Sequence, residues 1–359
     1  MTCDPPIRLG VAGLGRAFML MLPSFENDPR VELAACAAPR ESSRTAFVQR
    51  FGGAAYDSVE ALCGDPTLDA IYIATPHQMH RTHATCAVMA VLKARALIDS
   101  GSLGQVRMVH ALNYTDFLYR PRRPEELMTS EGGGVIFSQG VHQIDIVRLL
   151  AGGMVSTVRA TTGQWDDKRP TECAYSAHLT FAQGAFASLT YSGFAHFNSD
   201  EFCDWIGELG HDTDPTAYGK ARKALQSVQT PQDEIRLKTE RTFGASPDPA
   251  VPAHNEHFGT ILVSCDGADL RLTPDGVWVY GHTQSDFLST PLDAIPRKGV
   301  MESLVAAVRQ SQSPIQDSRW GLASLEVWHG ILQSSEAGTD IRMHHQVPVR
   351  RTEERKNQI

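Results

Sequence analysis

Residues 7–74 alternate short apolar runs with segments of helical spacing, and this pattern constrains the fold more than any other feature of the chain. The runs that predict strands are Ile7–Val11, Val31–Ala38 and Ala70–Ala74. The segments that predict helices are Phe18–Phe25, Glu41–Phe51 and Ser58–Leu62. Strands without polar alternation, separated by helices, indicate a parallel sheet covered on both faces. The sequence therefore predicts an α/β domain with right-handed crossovers.

A glycine turn follows the first apolar run. Gly13 and Gly15 occupy the first two positions of a GxGxxG pattern. The first glycine allows a tight turn, and the second lets the backbone approach a pyrophosphate at a helix N-terminus. Phe18 stands at the third position, so strand and helix cannot pack as closely there. The loop predicts a dinucleotide site; the alternative is a tight turn without a ligand.

The end of the second predicted strand bears on the identity of the cofactor. An acidic residue that binds a ribose 2′-hydroxyl would fall near Ala38, and it is absent. Arg40 could instead face a 2′-phosphate. The cofactor is therefore expected to be NAD or NADP, and these residues favour NADP. The alternative for Arg40 is an ordinary surface arginine.

Beyond the helical stretch Arg81–Ser100, alternating strands predict a large, mostly antiparallel sheet. The predicted strands are Gln105–Thr115, Val155–Gln164, Ala174–Phe181, Ala185–Gly193, Gly259–Ser264, Asp269–Leu272 and Val277–Tyr280. The predicted helices are Ser138–Leu150, Gly299–Gln310 and Arg319–Glu336. The polar segment 210–255, with a predicted helix at Tyr218–Val228, reads as an excursion from the sheet that forms a lid or an oligomer contact.

Composition excludes several classes of partner. The chain has 359 residues, and single cores stop growing near roughly 250–300 residues, so two domains are expected. A net charge of -8 disfavours nucleic-acid and anionic-membrane binding, and no apolar run is long enough for a membrane span. The seven cysteines form no CxxC pair, and no secretory signal is seen, so a cytoplasmic location is expected. His254 and His257 lack an indicated third ligand, and no metal is expected.

Four motifs together resemble the Gfo/Idh/MocA oxidoreductases, the glucose–fructose oxidoreductase and inositol dehydrogenase family. They are the Gly13–Arg16 turn, Ala74-Thr75-Pro76-His77-Gln-Met-His80, Leu97–Val106 and Gly132–Asp145. Three further features look like the phthalate 4,5-cis-dihydrodiol dehydrogenases within that family. They are Tyr119–Leu127, the segment 210–255 and Arg319–Glu326.

The resemblance implies an α/β protein with a Rossmann NAD(P)-binding domain at residues 1–95. It implies a substrate and oligomerisation domain at 96–359, whose large open sheet carries the substrate site and joins a homo-oligomer. Cofactor contacts would come from Gly13, Gly15, Arg16, Ala38, Arg40, Thr75, Pro76, His77 and His80. The implied reaction is hydride transfer between a hydroxyl-bearing ring carbon and the nicotinamide. The expected substrate is a small cyclic cis-diol, most specifically a carboxylated aromatic cis-dihydrodiol, with a sugar or inositol as the alternative.

The chain departs from the family pattern in two ways. The Glu-Lys-Pro strand that follows the Thr-Pro-x-x-x-His helix in relatives is absent, so the Rossmann domain is predicted to be truncated after its third or fourth strand. No motif places Lys93 as a substitute for the lost lysine. Ser138 replaces the usual aspartate of the Asp-x-Gly-x-His pattern. A catalytically impaired dinucleotide-binding protein is therefore a further alternative.

The remaining candidate residues suit alcohol oxidation. His142 could take the hydroxyl proton, because an imidazole titrates near neutral pH. Asp145, one helical turn on, could orient it, and Ser138 could bind the hydroxyl or cap the helix. The blander interpretation is that His142 packs in the interior and Asp145 is solvated.

An arginine trio precedes the glycine-rich motif. Arg120, Arg122 and Arg123 could grip substrate carboxylates, because guanidinium groups bind carboxylates through two hydrogen bonds. The alternative is a solvated basic loop that pairs with Glu125 and Glu126. Neutral hydrogen-bonding side chains would suit a sugar site better than three arginines.

Overall fold

The computed structural model describes residues 4–74, 89–314 and 316–350. The described chain divides into two compact units, each built from three separate stretches. Unit 1 falls within residues 1–83, 232–251 and 293–314, and unit 2 within 84–231, 252–292 and 315–359. The domain boundary at residue 95 stays a prediction, drawn on the linear sequence.

Unit 1 contains a four-stranded parallel sheet in the order β3-β2-β1-β4. Its strands are β1 (Ile7–Ala12), β2 (Val31–Ala37), β3 (Ala54–Tyr56) and β4 (Ala70–Ile73). Its helices are α1 (Arg16–Asn27), α2 (Glu41–Phe51), α3 (Val59–Cys63), α8 (Lys298–Gln310) and most of α7 (Pro231–Thr239). The predicted parallel sheet is confirmed. Strand β3 escaped prediction because three residues are too short for a periodic signal.

Phe18 shows how unit 1 tolerates a bulky residue at the third position of the glycine motif. Its side chain is fully buried. Its ring lies 5.3 Å from that of Phe243 and 6.2 Å from that of Phe47, measured between centroids. Phe243 comes from the 210–255 excursion, so part of that segment contributes to the core of unit 1. The predicted helix Tyr218–Val228 is shorter in the structure, as α6 (Lys220–Leu225).

Unit 2 contains a nine-stranded sheet in the order β12-β11-β10-β9-β5-β8-β7-β6-β13, in which only β5 and β8 pair in parallel. Its strands are β5 (Val106–Tyr114), β6 (Val155–Gly163), β7 (Ala174–Phe181), β8 (Phe186–Ser192), β9 (Thr260–Cys265), β10 (Ala268–Thr273), β11 (Gly276–Gly281), β12 (Ser285–Ser289) and β13 (Ile341–Arg342). Its remaining helices are α4 (Met89–Asp99), α5 (Val141–Leu150) and α9 (Ser318–Ala337). The large, mostly antiparallel sheet is confirmed, and the edge strands β12 and β13 are additions to the prediction.

The nine-stranded sheet buries one face and exposes the other. Val109 on β5 and Leu189 on β8 are fully buried in the core that α4, α5 and α9 share with the sheet. On the opposite face, Met108, Leu262 and Phe186 are 37%, 39% and 42% exposed. We call this second face the open face. Within the described ranges, no helix has the length and apolar character that crossing a bilayer requires.

Candidate active site

Gly13 turns the chain from β1 into α1. Its φ of +97° lies in the region that favours glycine, and its N–H donates to the carbonyl of Ala37 at 2.8 Å. The turn thereby directs the first amides of α1 toward the carboxyl end of the parallel sheet. A ligand crevice occurs at that end of α/β sheets.

Gly15 is the N-cap of α1 and has no side chain that could cap the helix. Among the described residues, a Cβ at this position would meet only the carbonyl oxygen of Ala74, at 3.9 Å. Packing within the described residues therefore does not demand glycine here. The N-terminus of a helix that follows a glycine turn suits the pyrophosphate of a dinucleotide, because the helix dipole attracts anions.

The end of β2 presents arginines. Ala38 is buried and offers no side-chain acceptor. Arg40 donates to the hydroxyl of Thr242 at 2.6 Å. Arg44, which the sequence analysis missed, donates to the carbonyls of Ala38 and Pro39 at 2.5 and 3.1 Å. The sequence feature that could have marked Arg44 as a cofactor candidate was its position one helical turn after Arg40.

The other cofactor candidates are less informative. Arg16 is exposed at the first position of α1. Thr75, Pro76, His77 and His80 lie outside the described residues. The junction of Ala90 and Val91, where the Glu-Lys-Pro segment is predicted to be missing, lies inside α4. Lys93 is an exposed residue of α4.

A glycine-rich turn and a π-helical turn (residues 136–140) lead into α5 and position His142. Gly134 has a φ of +88°, and a Cβ there would lie 2.0 Å from a carboxylate oxygen of Glu172. That buried carboxylate accepts the N–H of Ile136 at 3.2 Å. Ser138 is buried inside the π-helical turn and is not the N-cap residue of either helical segment.

His142 is half-buried at the start of α5. Its ring centroid lies 5.5 Å from that of Phe258. Burial lowers the pKa of His142 below its usual value, and the negative charge of Glu208 opposes that shift. The imidazole is therefore mainly neutral near pH 7 and able to accept a proton.

Asp145 lies in a different environment from His142. Its carboxylate accepts hydrogen bonds from the indole N–H of Trp320 and from the hydroxyl of Ser324, both on α9. Burial raises its pKa to about 6, against the effect of these bonds and of Arg148. No hydrogen bond joins Asp145 to His142 in the described part of the chain, so the structure does not bring together the predicted pair.

Glu208 is the carboxylate that lies near His142, and no sequence motif marked it. Its Oε1 accepts from the side-chain amide of Asn113 at 2.8 Å. Its Oε2 lies 3.6 Å from a guanidinium nitrogen of Arg120. Its backbone carbonyl accepts the N–H of His257 at 3.2 Å. Only the tertiary fold reveals this cluster.

The structure separates the three predicted arginines. Arg120 is 37% exposed and lies 3.3 Å from Asp116, as well as beside Glu208. The guanidinium of Arg122 donates to the carbonyl of Phe117 at 2.8 Å and lies 3.6 Å from that ring. Burial lowers the pKa of Arg122 to about 10, and the charge of Arg120 adds to this effect.

Arg123 lies apart from this pair. It forms a surface ion pair with Glu125 at 3.9 Å, and both side chains are nearly 40% exposed. Its backbone N–H donates to Glu126 in a short 3₁₀ turn. The solvated interpretation therefore describes Arg123, whereas Arg120 and Arg122 lie beside the His142 region.

A row of stacked rings lies beside these charged groups. Tyr191 is fully buried, stacks between Tyr175 and Phe258 at 6.2 and 6.1 Å, and its hydroxyl lies 3.0 Å from that of Thr115. Glu208, Arg120 and Arg122 all act electrostatically on this tyrosine. Through Phe258 the row places His142 next to an apolar surface, and the charges of Arg120 and Arg122 act on the same row, an arrangement that suits a ring bearing a carboxylate.

The two histidines of the weak metal motif have structural partners. His254 pairs with Asp275 at 2.8 Å and with Asp212 at 3.3 Å. His257 contacts the Ile206 carbonyl through Nε2 at 2.8 Å and accepts the N–H of Gly259 through Nδ1. Among the residues that the structure describes, no group of three His, Cys, Asp or Glu side chains could hold a metal ion.

Comparison with known proteins is consistent with this geometry. Residues 7–95 match the model of an oxidoreductase family with an NAD-binding Rossmann fold, and residues 91–211 match the GFO/IDH/MocA C-terminal domain. The 1-carboxy-3-chloro-3,4-dihydroxycyclohexa-1,5-diene dehydrogenase of Comamonas testosteroni is 36% identical over 377 aligned positions. That alignment covers 92% of this chain and 95% of the relative.

Solved structures share the fold over almost the whole chain. A protein of Bordetella bronchiseptica RB50, assigned as a dehydrogenase, is 34% identical with a TM-score of 0.87, covering 94% of this chain and 100% of its own. The WlbA dehydrogenase of Bordetella pertussis, solved with NADH and UDP-GlcNAcA, has a TM-score of 0.63 at 16% identity, covering 94% and 99%. The chain belongs to the GFO/IDH/MocA family of NAD-binding oxidoreductases.

Proposed function

We propose that this protein oxidises a cyclic cis-diol that carries a carboxylate. The observation that carries the proposal is the placement of His142, a neutral imidazole, beside a cluster that includes Arg120 and the buried Arg122. The Comamonas testosteroni relative, whose name specifies a carboxylated dihydroxycyclohexadiene, supports the same substrate class.

In the proposed reaction, His142 takes the proton of the substrate hydroxyl. A bound nicotinamide supplies the hydride acceptor. The stacked rings exclude water from one side of the imidazole, and the arginines hold the carboxylate so that the diol faces His142. Burial is the main cause of the lowered pKa of Arg122, and the repulsion from Arg120 that adds to it would be offset by a bound carboxylate.

The first experiment is a turnover assay. Purified protein is mixed with NAD or NADP and a carboxylated cis-dihydrodiol, and reduced cofactor is followed by its absorbance. We expect His142→Asn to lower kcat by ~10²–10⁴-fold with little change in cofactor affinity. His282→Asn, which alters an exposed histidine in the turn between β11 and β12, is the matched control. Undiminished turnover in His142→Asn would remove this residue from the reaction.

The arginines distinguish a carboxylated diol from a sugar. Arg120→Ala and Arg122→Ala should weaken binding of a carboxylated diol by ~1.5–3 kcal/mol for each lost charged hydrogen bond, and that of a neutral diol much less. Arg123→Ala is the control, because that side chain is exposed. Because a phthalate-derived diol carries two adjacent carboxylates, comparing it with a monocarboxylate tests whether both arginines are used. Equal losses for all diols would favour the sugar or inositol alternative.

For the cofactor, we propose that NADP binds at least as well as NAD. Support comes from the end of β2, where Ala38 offers no acceptor for a 2′-hydroxyl and the cations of Arg40 and Arg44 lie nearby. The fit of the glycine loop to a pyrophosphate is common to both cofactors.

A specific observation favours a second candidate, a dinucleotide-binding protein with weak turnover. The alignment with the Comamonas testosteroni relative has 377 positions, more than the 359 residues of this chain. The relative therefore has residues without a counterpart here, in keeping with the predicted loss of the Glu-Lys-Pro segment. Tight cofactor binding with no turnover of any diol would favour this candidate.

We also propose a homo-oligomer formed through the open face, and a reducing cytoplasmic location. Exposed Met108, Phe186 and Leu262 support the first, because contiguous exposed apolar groups mark interfaces. The free thiols of Cys36 and Cys203, whose pKa values burial raises to about 12, support the second. Cell fractionation tests the location.

A further inference from the structure

We propose that Glu208 is a positioning residue that acts through its charge and stabilises the protonated form of His142. This inference rests on the proposed function, in which His142 takes the hydroxyl proton. It assigns to Glu208, 66 positions further along the chain, the role that helical spacing predicted for Asp145.

Glu208 is held from three directions within unit 2. Asn113, fully buried on β5, donates to its Oε1 at 2.8 Å, and Arg120 lies 3.6 Å from its Oε2. The N–H of His257 donates to its backbone carbonyl. The next residue, Phe258, packs its ring against the imidazole of His142. The carboxylate, 17% exposed, is thus fixed next to the segment that contacts His142 and is largely shielded from solvent.

The other charged groups of this region bond to partners other than His142. On α5, Asp145 faces Trp320 and Ser324, and Arg148 donates to Ser324 at 2.7 Å. In the loop after β5, Asp116 pairs with Arg120.

The remaining titratable neighbours are engaged by local partners. Asp200 is buried and bonded to Asn198, His257 contacts the Ile206 carbonyl, and the Tyr191 hydroxyl bonds Thr115. Within the described part of the chain, the negative charge that acts on His142 is that of Glu208.

A charge at this position has a direct consequence for proton transfer. When His142 accepts the hydroxyl proton, it becomes a cation in surroundings that disfavour cations. The carboxylate of Glu208 stabilises that cation and raises the basicity of the imidazole. Arg120 neutralises part of the carboxylate, so a substrate carboxylate that engages Arg120 leaves more of the Glu208 charge to act on His142.

The test follows the imidazole itself. The protein is labelled with ¹³C,¹⁵N-histidine, and the His142 signal, assigned by its loss in His142→Asn, is titrated by NMR. Glu208→Gln keeps an oxygen for the Asn113 amide and removes the charge. We expect it to lower the titration midpoint of His142 by about one pH unit. Glu201→Gln, which changes an exposed residue seven positions earlier, is the charge-matched control and should leave the midpoint unchanged.

Two further variants keep the proposal testable if Glu208→Gln fails to fold. Glu208→Asp retains the charge and should restore the midpoint at least in part. Arg120→Gln removes the neutralising cation and should raise the midpoint, the opposite direction. Identical midpoints in the parent and in every folded variant would overturn the proposal.

The activity profile separates this proposal from the proposed function. Loss of the Glu208 charge should move the acidic limb of kcat/KM to lower pH, because a weaker base is deprotonated at lower pH. A merely structural role would lower kcat/KM equally at every pH, which counts against the proposal. A shifted NMR midpoint without turnover of any diol would support the role of Glu208 and count against the diol oxidation.

Discussion

Asp145 and His142 lie three residues apart on α5, yet burial moves their protonation in opposite directions. The pKa of Asp145 rises to about 6, while that of His142 falls. Both shifts favour the neutral form, as expected for groups removed from water. The neutral imidazole of His142 can therefore accept a proton. The carboxyl group of Asp145 is shifted toward its neutral acid form, which can still accept hydrogen bonds from Trp320 and Ser324.

The raised pKa of Asp145 predicts how stability changes with pH. Because the folded pKa exceeds the unfolded value near 3.8, the stability that this group contributes is complete below pH 3.8 and is lost as pH rises through 6. Asp145→Asn keeps an oxygen for the Trp320 indole and does not titrate. The free energy of unfolding of Asp145→Asn minus that of the parent should therefore increase by roughly 3 kcal/mol as the pH rises from 3.5 to 7.

Urea denaturation at several pH values measures this difference. Glu201→Gln serves as the control, because its carboxylate is exposed. A difference between Asp145→Asn and the parent that stays constant with pH would show that Asp145 titrates normally.

A second prediction at the residue scale concerns the 2′-phosphate. Arg44→Ala should weaken NADPH binding at least tenfold and NADH binding much less, since a charged hydrogen bond contributes ~1.5–3 kcal/mol. Arg50→Ala, on the same helix but paired with Glu26 and Asp248, is the control. Calorimetric titration of the parent and the two variants with each cofactor gives the six dissociation constants. An equal loss for both cofactors would place Arg44 away from the phosphate.

At the scale of elements, the turn into α5 depends on packing as much as on backbone conformation. Gly134 has a positive φ, and the space for its Cβ is occupied by the Glu172 carboxylate. That carboxylate accepts the N–H of Ile136 and so stabilises the start of the helical segment that carries His142. The glycine, the buried acid and the π-helical turn together determine how the chain enters α5.

Alanine substitutions at two glycines separate the contribution of packing from that of backbone conformation. Gly184 has a φ of +91°, close to the +88° of Gly134, but a Cβ there would meet nothing within 4 Å. Gly184→Ala should cost about 1–2 kcal/mol of stability through backbone strain alone. Gly134→Ala should cost more, because it also displaces Glu172. Thermal unfolding compares the two, and equal losses would show that the carboxylate moves aside freely.

At the scale of the whole molecule, one face of the nine-stranded sheet is not covered by any helix of the described residues. Apolar side chains on that face, Leu262 among them, remain substantially exposed. We expect Leu262→Glu to shift a homo-oligomer toward the monomer, because a buried unpaired carboxylate opposes association. Val251→Glu, which changes an exposed apolar residue outside the sheet, is the control. Sedimentation analysis measures the mass, and an unchanged oligomer would exclude this face as the interface.

The sequence by itself determined the features that depend on neighbouring residues. The buried strands of unit 1, the glycine turn at Gly13 and the alternating strands of unit 2 all follow from local periodicity and turn chemistry. Short or edge elements such as β3 and β13 carry too few residues for such a signal. His142 became a candidate through the resemblance of its surrounding motif to the family, because spacing alone favoured a packed, non-catalytic histidine.

Only the tertiary structure decided which distant groups meet. Helical spacing paired His142 with Asp145, but the indole of Trp320 takes that carboxylate. Glu208 reaches the histidine region through Asn113 and the segment before β9, and Phe243 fills the space beside Phe18 from far along the chain. Periodicity specifies which face of an element is buried, but not which side chain from another segment packs there. That choice arises from the simultaneous fit of shape, charge and hydrogen bonds in the folded core.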